Sequence, residues 1–181
     1  PGDQYEPAVA WDNEHKRWLV VWEQDVSGVR AIVGRVINNG GAPLTDSFFI
    51  SDDPAKDATL PDVVYDPGHD RYLVVWVHQF SATDTDILGR FVTWDGLQPA
   101  VPFPVENPTN LQFAPAVEYN PPPVDEYFVV WENLVDFDPE TIRAKRLYPD
   151  SGSQVGPSFE VVGDTTYHRR KPRLAWNADA S

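Results

Sequence analysis

The chain has 181 residues, of which 41% are hydrophobic and 13% aromatic, enough to bury the core of one good-sized domain. It has no cysteine, which excludes a disulfide framework and a thiolate metal site. A formal charge of −14 repels phosphate backbones, so no nucleic acid is expected as a partner, and no apolar run is long enough to span a membrane.

In chain order, the first recognisable element is Pro7–Asp12 (PAVAWD), followed by a polar turn, Asp12–Lys16, and an almost wholly apolar block, Arg17–Trp22 (RWLVVW). A third block, Ile32–Val36 (IVGRV), and a weaker fourth centred on Phe48 complete a unit. The unit then recurs. Pro61–Asp66, Arg71–Trp76 and Ile87–Phe91 lead to Phe103, and Pro115–Asn120, Glu126–Trp131 and Ile142–Arg146 lead to Phe159. A fourth copy opens at Pro172–Asn177, so the intervals are 54, 54 and 57 residues.

Short runs of β-branched and aromatic residues bounded by Asp, Asn, Pro and Gly predict strands covered on both faces, the first two joined as a hairpin. Four strands in a period of this size predict an all-β fold of β-propeller blades, and no helical periodicity competes with them. The expected organisation is one blade in 1–56, a second in 57–109, a third in 110–165, and the first strand of another in 166–181. Together they form an incomplete ring.

Trp22, Trp76 and Trp131 hold equivalent positions and are expected to pack between blades, while Gly34, Gly89 and Ala144 are expected to leave room beneath a large ring packed across the sheet. Three blades and one strand do not close a ring. The remaining blades are expected from a longer parent chain or from other copies, six blades from two chains being the simplest closed solution. An unpartnered inner strand at Pro172–Asn177 points the same way, since its bare backbone groups invite pairing. Pro1, in place of an initiating methionine, reads as the start of a processed or excised segment.

The Pro-x-Val-x-Trp/Tyr-Asp/Asn strand, the Tyr-Leu-Val-Val-Trp strand and the Ile-x-Gly-Arg strand resemble a repeat of secreted and cell-surface bacterial β-propeller proteins. The resemblance covers nearly the whole chain. It implies an extracellular or cell-surface propeller module, and the third repeat departs most, with Ala144-Lys145 in place of Gly-Arg and a triple-Pro turn at Pro121–Pro123.

Candidate chemistry is sparse. Glu23 and Asp25, Asp84 and Asp86, and Asp136, Asp138 and Glu140 give an acidic segment between the second and third strands of every repeat. Carboxylates two residues apart suit a hard cation, so calcium is a possible cofactor, with Asp84 and Asp86 its ligands; solvated loop is the competing reading. Asp12, Asp66, Asn120 and Asn177 recur at the end of the first strand and are expected to cap turns. Glycoside hydrolysis needs carboxylates converging at one mouth of the channel, and residues doing that work are expected to break the repeat.

Phe80, Trp94, Phe137 and Tyr167 lie outside the strand pattern. Trp94 beside Asp95 is a candidate sugar-stacking site, with an edge-covering aromatic as the alternative. His15, His69, His78 and His168 form no metal or triad constellation, and nucleophile elbows and phosphate loops are absent. Two functions remain. One is a non-catalytic propeller scaffold binding a protein or glycan. The other is part of a carbohydrate-active, glycoside hydrolase-like propeller.

Overall fold

The structure is a computed structural model and describes residues 2–135, 140–163 and 169–175. The first sheet contains β1 (Gln4–Asp12), β2 (Arg17–Val26), β3 (Val29–Asn38) and β4 (Phe48–Phe49). The second contains β5 (Ala58–Asp66), β6 (Arg71–Ser81), β7 (Asp84–Thr93) and β8 (Phe103–Glu106). The third contains β9 (Leu111–Asn120), β10 (Glu126–Leu134), β11 (Thr141–Leu147) and β12 (Phe159–Val162). Each sheet is antiparallel, with its strands in sequence order. Among the described residues there is no helix, and therefore none long and apolar enough to cross a membrane. The chain is all-β and has the architecture of an incomplete propeller.

Continuous apolar runs arise because the sheets pack face to face. In β6, alternate side chains serve two cores. Tyr72, Val74 and Trp76 join Leu19, Val21, Ile32 and Ile50 of the first sheet, whereas Leu73, Val75 and Val77 join Tyr127, Val129 and Trp131 of the third. Trp76 and Trp131 are thus buried between sheets. Trp22 pairs with Val33 and projects from the opposite face to Val21, where no described sheet lies, and it is only half-buried.

A side chain on Gly34 would put its Cβ 2.8 Å from Ile50 Cδ1 and 3.2 Å from the Phe48 ring, and one on Gly89 would lie 3.0 Å from Phe103. The ring crossing each glycine therefore comes from the fourth strand. Ala144 faces Phe159, which is exposed, so its methyl is accommodated.

The acidic segments of the first two repeats are strand, a correction to the loop reading. Glu23 and Asp25 lie in β2, and Asp84 and Asp86 begin β7. The hairpin runs past its apolar block because Ser27 and Gly28, at φ 60° and 88°, close it in two residues, the geometry that matches strand twist.

A bulge interrupts the opening strand of each sheet, β1, β5 and β9, whereas the described residues of the fourth copy, 169–175, form no strand. The residue before the proline of each copy (Glu6, Leu60, Ala114 and Lys171) nonetheless has φ of 44°, 52°, 46° and 53° respectively. A left-handed non-glycine residue costs about 1–2 kcal/mol, and at Leu60 and Lys171 a carboxylate of the preceding sheet holds the amide.

Candidate functional site

The three bulges meet the Lys171–Arg173 segment. Glu6, Leu60, Pro61, Ala114, Pro115, Lys171 and Arg173 line a cavity of about 100 Å³ where the innermost strands converge. Glu23, almost fully buried, accepts the Leu60 N–H at 2.7 Å and pairs with Arg30 at 3.1 Å. Glu132 accepts the Lys171 N–H in the same way. Between the second and third sheets the equivalent of Glu23 is Val77, and a different carboxylate bridges the inner strands: Asp62 accepts the Val117 N–H at 2.9 Å.

Asp62 is the acid that sequence reasoning missed. Its repeat equivalents are Ala8, Ala116 and Arg173, so it breaks the pattern at the strand that lines the cavity. Burial pushes its carboxyl above the usual range, against the lowering effect of the Val117 and Val63 amides and of Arg173. The signal was a charged residue where two other repeats carry alanine.

The turn residues form a second polar zone at the other ends of the inner strands. Asp12 accepts the Glu14 and His15 amides at 2.8 Å each, and Asp66 accepts the His69 amide at 3.1 Å. Each also holds the histidine ring of its own turn, His15 at 2.9 Å and His69 at 3.0 Å. Asp66 further accepts the Tyr127 hydroxyl at 2.6 Å across the sheet interface. These carboxylates are therefore engaged in holding turns and blades.

Trp94 lies in this zone. Its ring stacks on His15, with centroids 4.3 Å apart and planes 6° from parallel, and the Arg17 guanidinium sits 4.4 Å from its centroid. Asp95 accepts the Thr93 hydroxyl at 2.5 Å, which holds its carboxyl low, and it receives the Leu97 amide more weakly at 3.4 Å. A ring already covered by a second ring and a cation has less surface for a sugar.

Asp86 is buried beside Asp84. Burial first, then the Asp84 and Glu106 carboxylates, push it up to about 6. Glu106 is itself paired with Lys145. Among the described residues no group of three or more metal-capable side chains gathers, at Asp84 and Asp86 or elsewhere. His78 packs against Phe80 and is held below its ordinary value chiefly by burial. Glu140 pairs with Arg170 at 2.8 Å, while Asp136, Phe137, Asp138, Tyr167, His168 and Asn177 lie outside the described residues.

Solved structures share this fold. The endo-arabinase of Bacteroides thetaiotaomicron matches with a TM-score of 0.61 at 12% identity, over 91% of this chain and 64% of its own. An N-acetylgalactosamine deacetylase from F. plautii, in complex with blood group B trisaccharide, matches at 0.59 and 13%, over 84% and 52%. The exo-β-1,3-galactanase of Phanerochaete chrysosporium matches at 0.57 and 11%, over 88% of this chain but 36% of its own. This chain has the fold of an incomplete β-propeller. It spans between about a third and two thirds of the length of these carbohydrate-active proteins, and at such identities the likeness is one of fold alone. No family profile matches the sequence, and no curated protein is similar to it in sequence.

Proposed function

We propose that this chain is a non-catalytic stack of propeller blades from a secreted or cell-surface protein, a scaffold whose polar axial mouth binds a glycan or protein. The observation that carries the reading is where the buried carboxylates point. Glu23, Glu132 and Asp62 bind backbone amides of the next blade, and Asp12 and Asp66 bind turn amides. A carboxylate committed to a backbone donor is fixed in place, which suits a structural role better than proton transfer.

The test is a glycan array with the purified chain, run alongside reducing-sugar release from arabinan, galactan and xylan. Binding without release is expected, weakened by Arg173→Ala at the mouth. Sugar release above the buffer blank would refute the non-catalytic reading.

One observation favours a second reading, that of part of a carbohydrate-active enzyme. Asp62 breaks the repeat, lies on an innermost strand beside the axial cavity, and has its carboxyl raised, as a general acid requires. That reading expects release that Asp62→Asn abolishes.

A further inference from the structure

We propose that the outer face of the first sheet is half of a blade interface, and that its partner is a four-stranded blade of this same repeat offering a bare backbone carbonyl on its fourth strand. The two internal interfaces supply the template. Arg90 of the second sheet makes two bonds, Nε to Ala100 O of its own sheet at 2.9 Å and a terminal nitrogen to Ile50 O of the first sheet at 2.8 Å. Lys145, its equivalent in the third sheet, reaches back to Val105 O at 2.8 Å, and Val105 is the repeat equivalent of Ile50.

Arg35 holds the same position in the first sheet. Its Nε makes the own-sheet bond, to Thr45 O at 3.1 Å, and among the described residues no carbonyl of a preceding sheet is there for its terminal nitrogens. The apolar side chains around it tell the same story. Val9 is 55% exposed where Val63 and Val117 are 6% and 4%, and Trp18 is 37% exposed where Tyr72 and Tyr127 are 0%. A cavity of about 360 Å³ lined by Val26, Val29, Ala31 and Phe49 continues this face to its edge.

A second copy of this chain fits less well than an additional blade. The face of the third sheet that it would offer is already met by Leu174, and Glu132 there holds the Lys171 amide. That place is occupied by residues 171–174 of this chain.

The experiment fuses a duplicate of residues 57–110 ahead of Asp3, so that the junction between the second and third repeats is reproduced and Val105 O is presented to Arg35. Arg35→Ala is expected to move the melting temperature of the 181-residue chain by no more than about 2 °C and that of the extended chain by about 4–8 °C, the loss of a hydrogen bond to a charged group. Acrylamide quenching of Trp18 and Trp22, taken as the difference from the chain carrying Trp18→Phe and Trp22→Phe, is expected to fall at least about twofold on extension, as burial of half-exposed rings requires.

Equal melting shifts in the two chains, unchanged quenching, or failure of the extended chain to fold would overturn the proposal. So would a concentration-dependent dimer of the 181-residue chain, seen by sedimentation, in which both tryptophans are protected. That result would assign the face to a second copy.

Discussion

Replacing Glu23 by valine tests whether blade contact depends on a carboxylate gripping a strained backbone. Glu23 is 1% exposed and accepts the Leu60 N–H at 2.7 Å, while Leu60 sits at φ 52° immediately before Pro61. Glu23→Val removes a charge-assisted hydrogen bond, worth about 1.5–3 kcal/mol, and leaves a buried donor without its partner. The ion pair with Arg30 adds little, since Arg30 is 46% exposed and surface pairs contribute about 0–1 kcal/mol. The added methyls recover part of the loss, because Val77 at the equivalent position is well buried. The expected net loss is about 2 kcal/mol, a fall of roughly 4–8 °C in melting temperature for a domain of this size. Urea unfolding followed by tryptophan emission measures the first quantity, and hydrogen exchange at the Leu60 amide tests the cause, which predicts at least about tenfold faster exchange there. Glu23→Gln keeps an acceptor oxygen and is expected to lose about half as much. Wild-type stability and an unchanged Leu60 amide in Glu23→Val would refute the argument.

Gly89→Ala is expected to destabilise by about 1–2 kcal/mol in thermal unfolding, because its methyl would lie 3.0 Å from Phe103, whose ring packs on Phe91. Trp94→Ala is expected to lower stability by about 1 kcal/mol through loss of the His15 stack and the Arg17 contact, measured by urea unfolding; no change in the midpoint would contradict that packing role. Asp86 gives a pH test. Its folded value of about 6 exceeds the ordinary 3.8, so its penalty is complete above pH 6 and relieved as pH falls towards 4. Asp86→Asn is therefore expected to stabilise by about 1–2 kcal/mol at pH 7 and to match the wild type near pH 4, with melting temperatures across that range as the readout.

The fold was legible because blades repeat. Tyrosine and tryptophan at equivalent positions, a proline in the opening block of each copy and apolar blocks without helical period all survive translation by one unit, so no single residue had to be interpreted alone. Contacts across the interfaces were less visible. Arg90 reaches Ile50, forty residues away, and Glu23 reaches Leu60, thirty-seven away, and nothing local in sequence marks either pair. The acids beside Trp22 looked like loop because strand propensity disfavours them, whereas a two-residue turn and a neighbouring blade's amide hold them in strand. Asp62 had a signal in the alignment of the repeats, a charge replacing alanine, but its meaning depends on the cavity that the bulges enclose.

The middle sheet gives one side of every strand to each neighbour, so it acts as a keystone. Damage confined to the third sheet leaves the Leu19–Trp76 core with all its members, and a two-leaf intermediate is expected to persist on unfolding. Damage to β6 dissolves both cores at once and unfolds the chain in a single step. How a mutation alters cooperativity thus reports which leaf it struck.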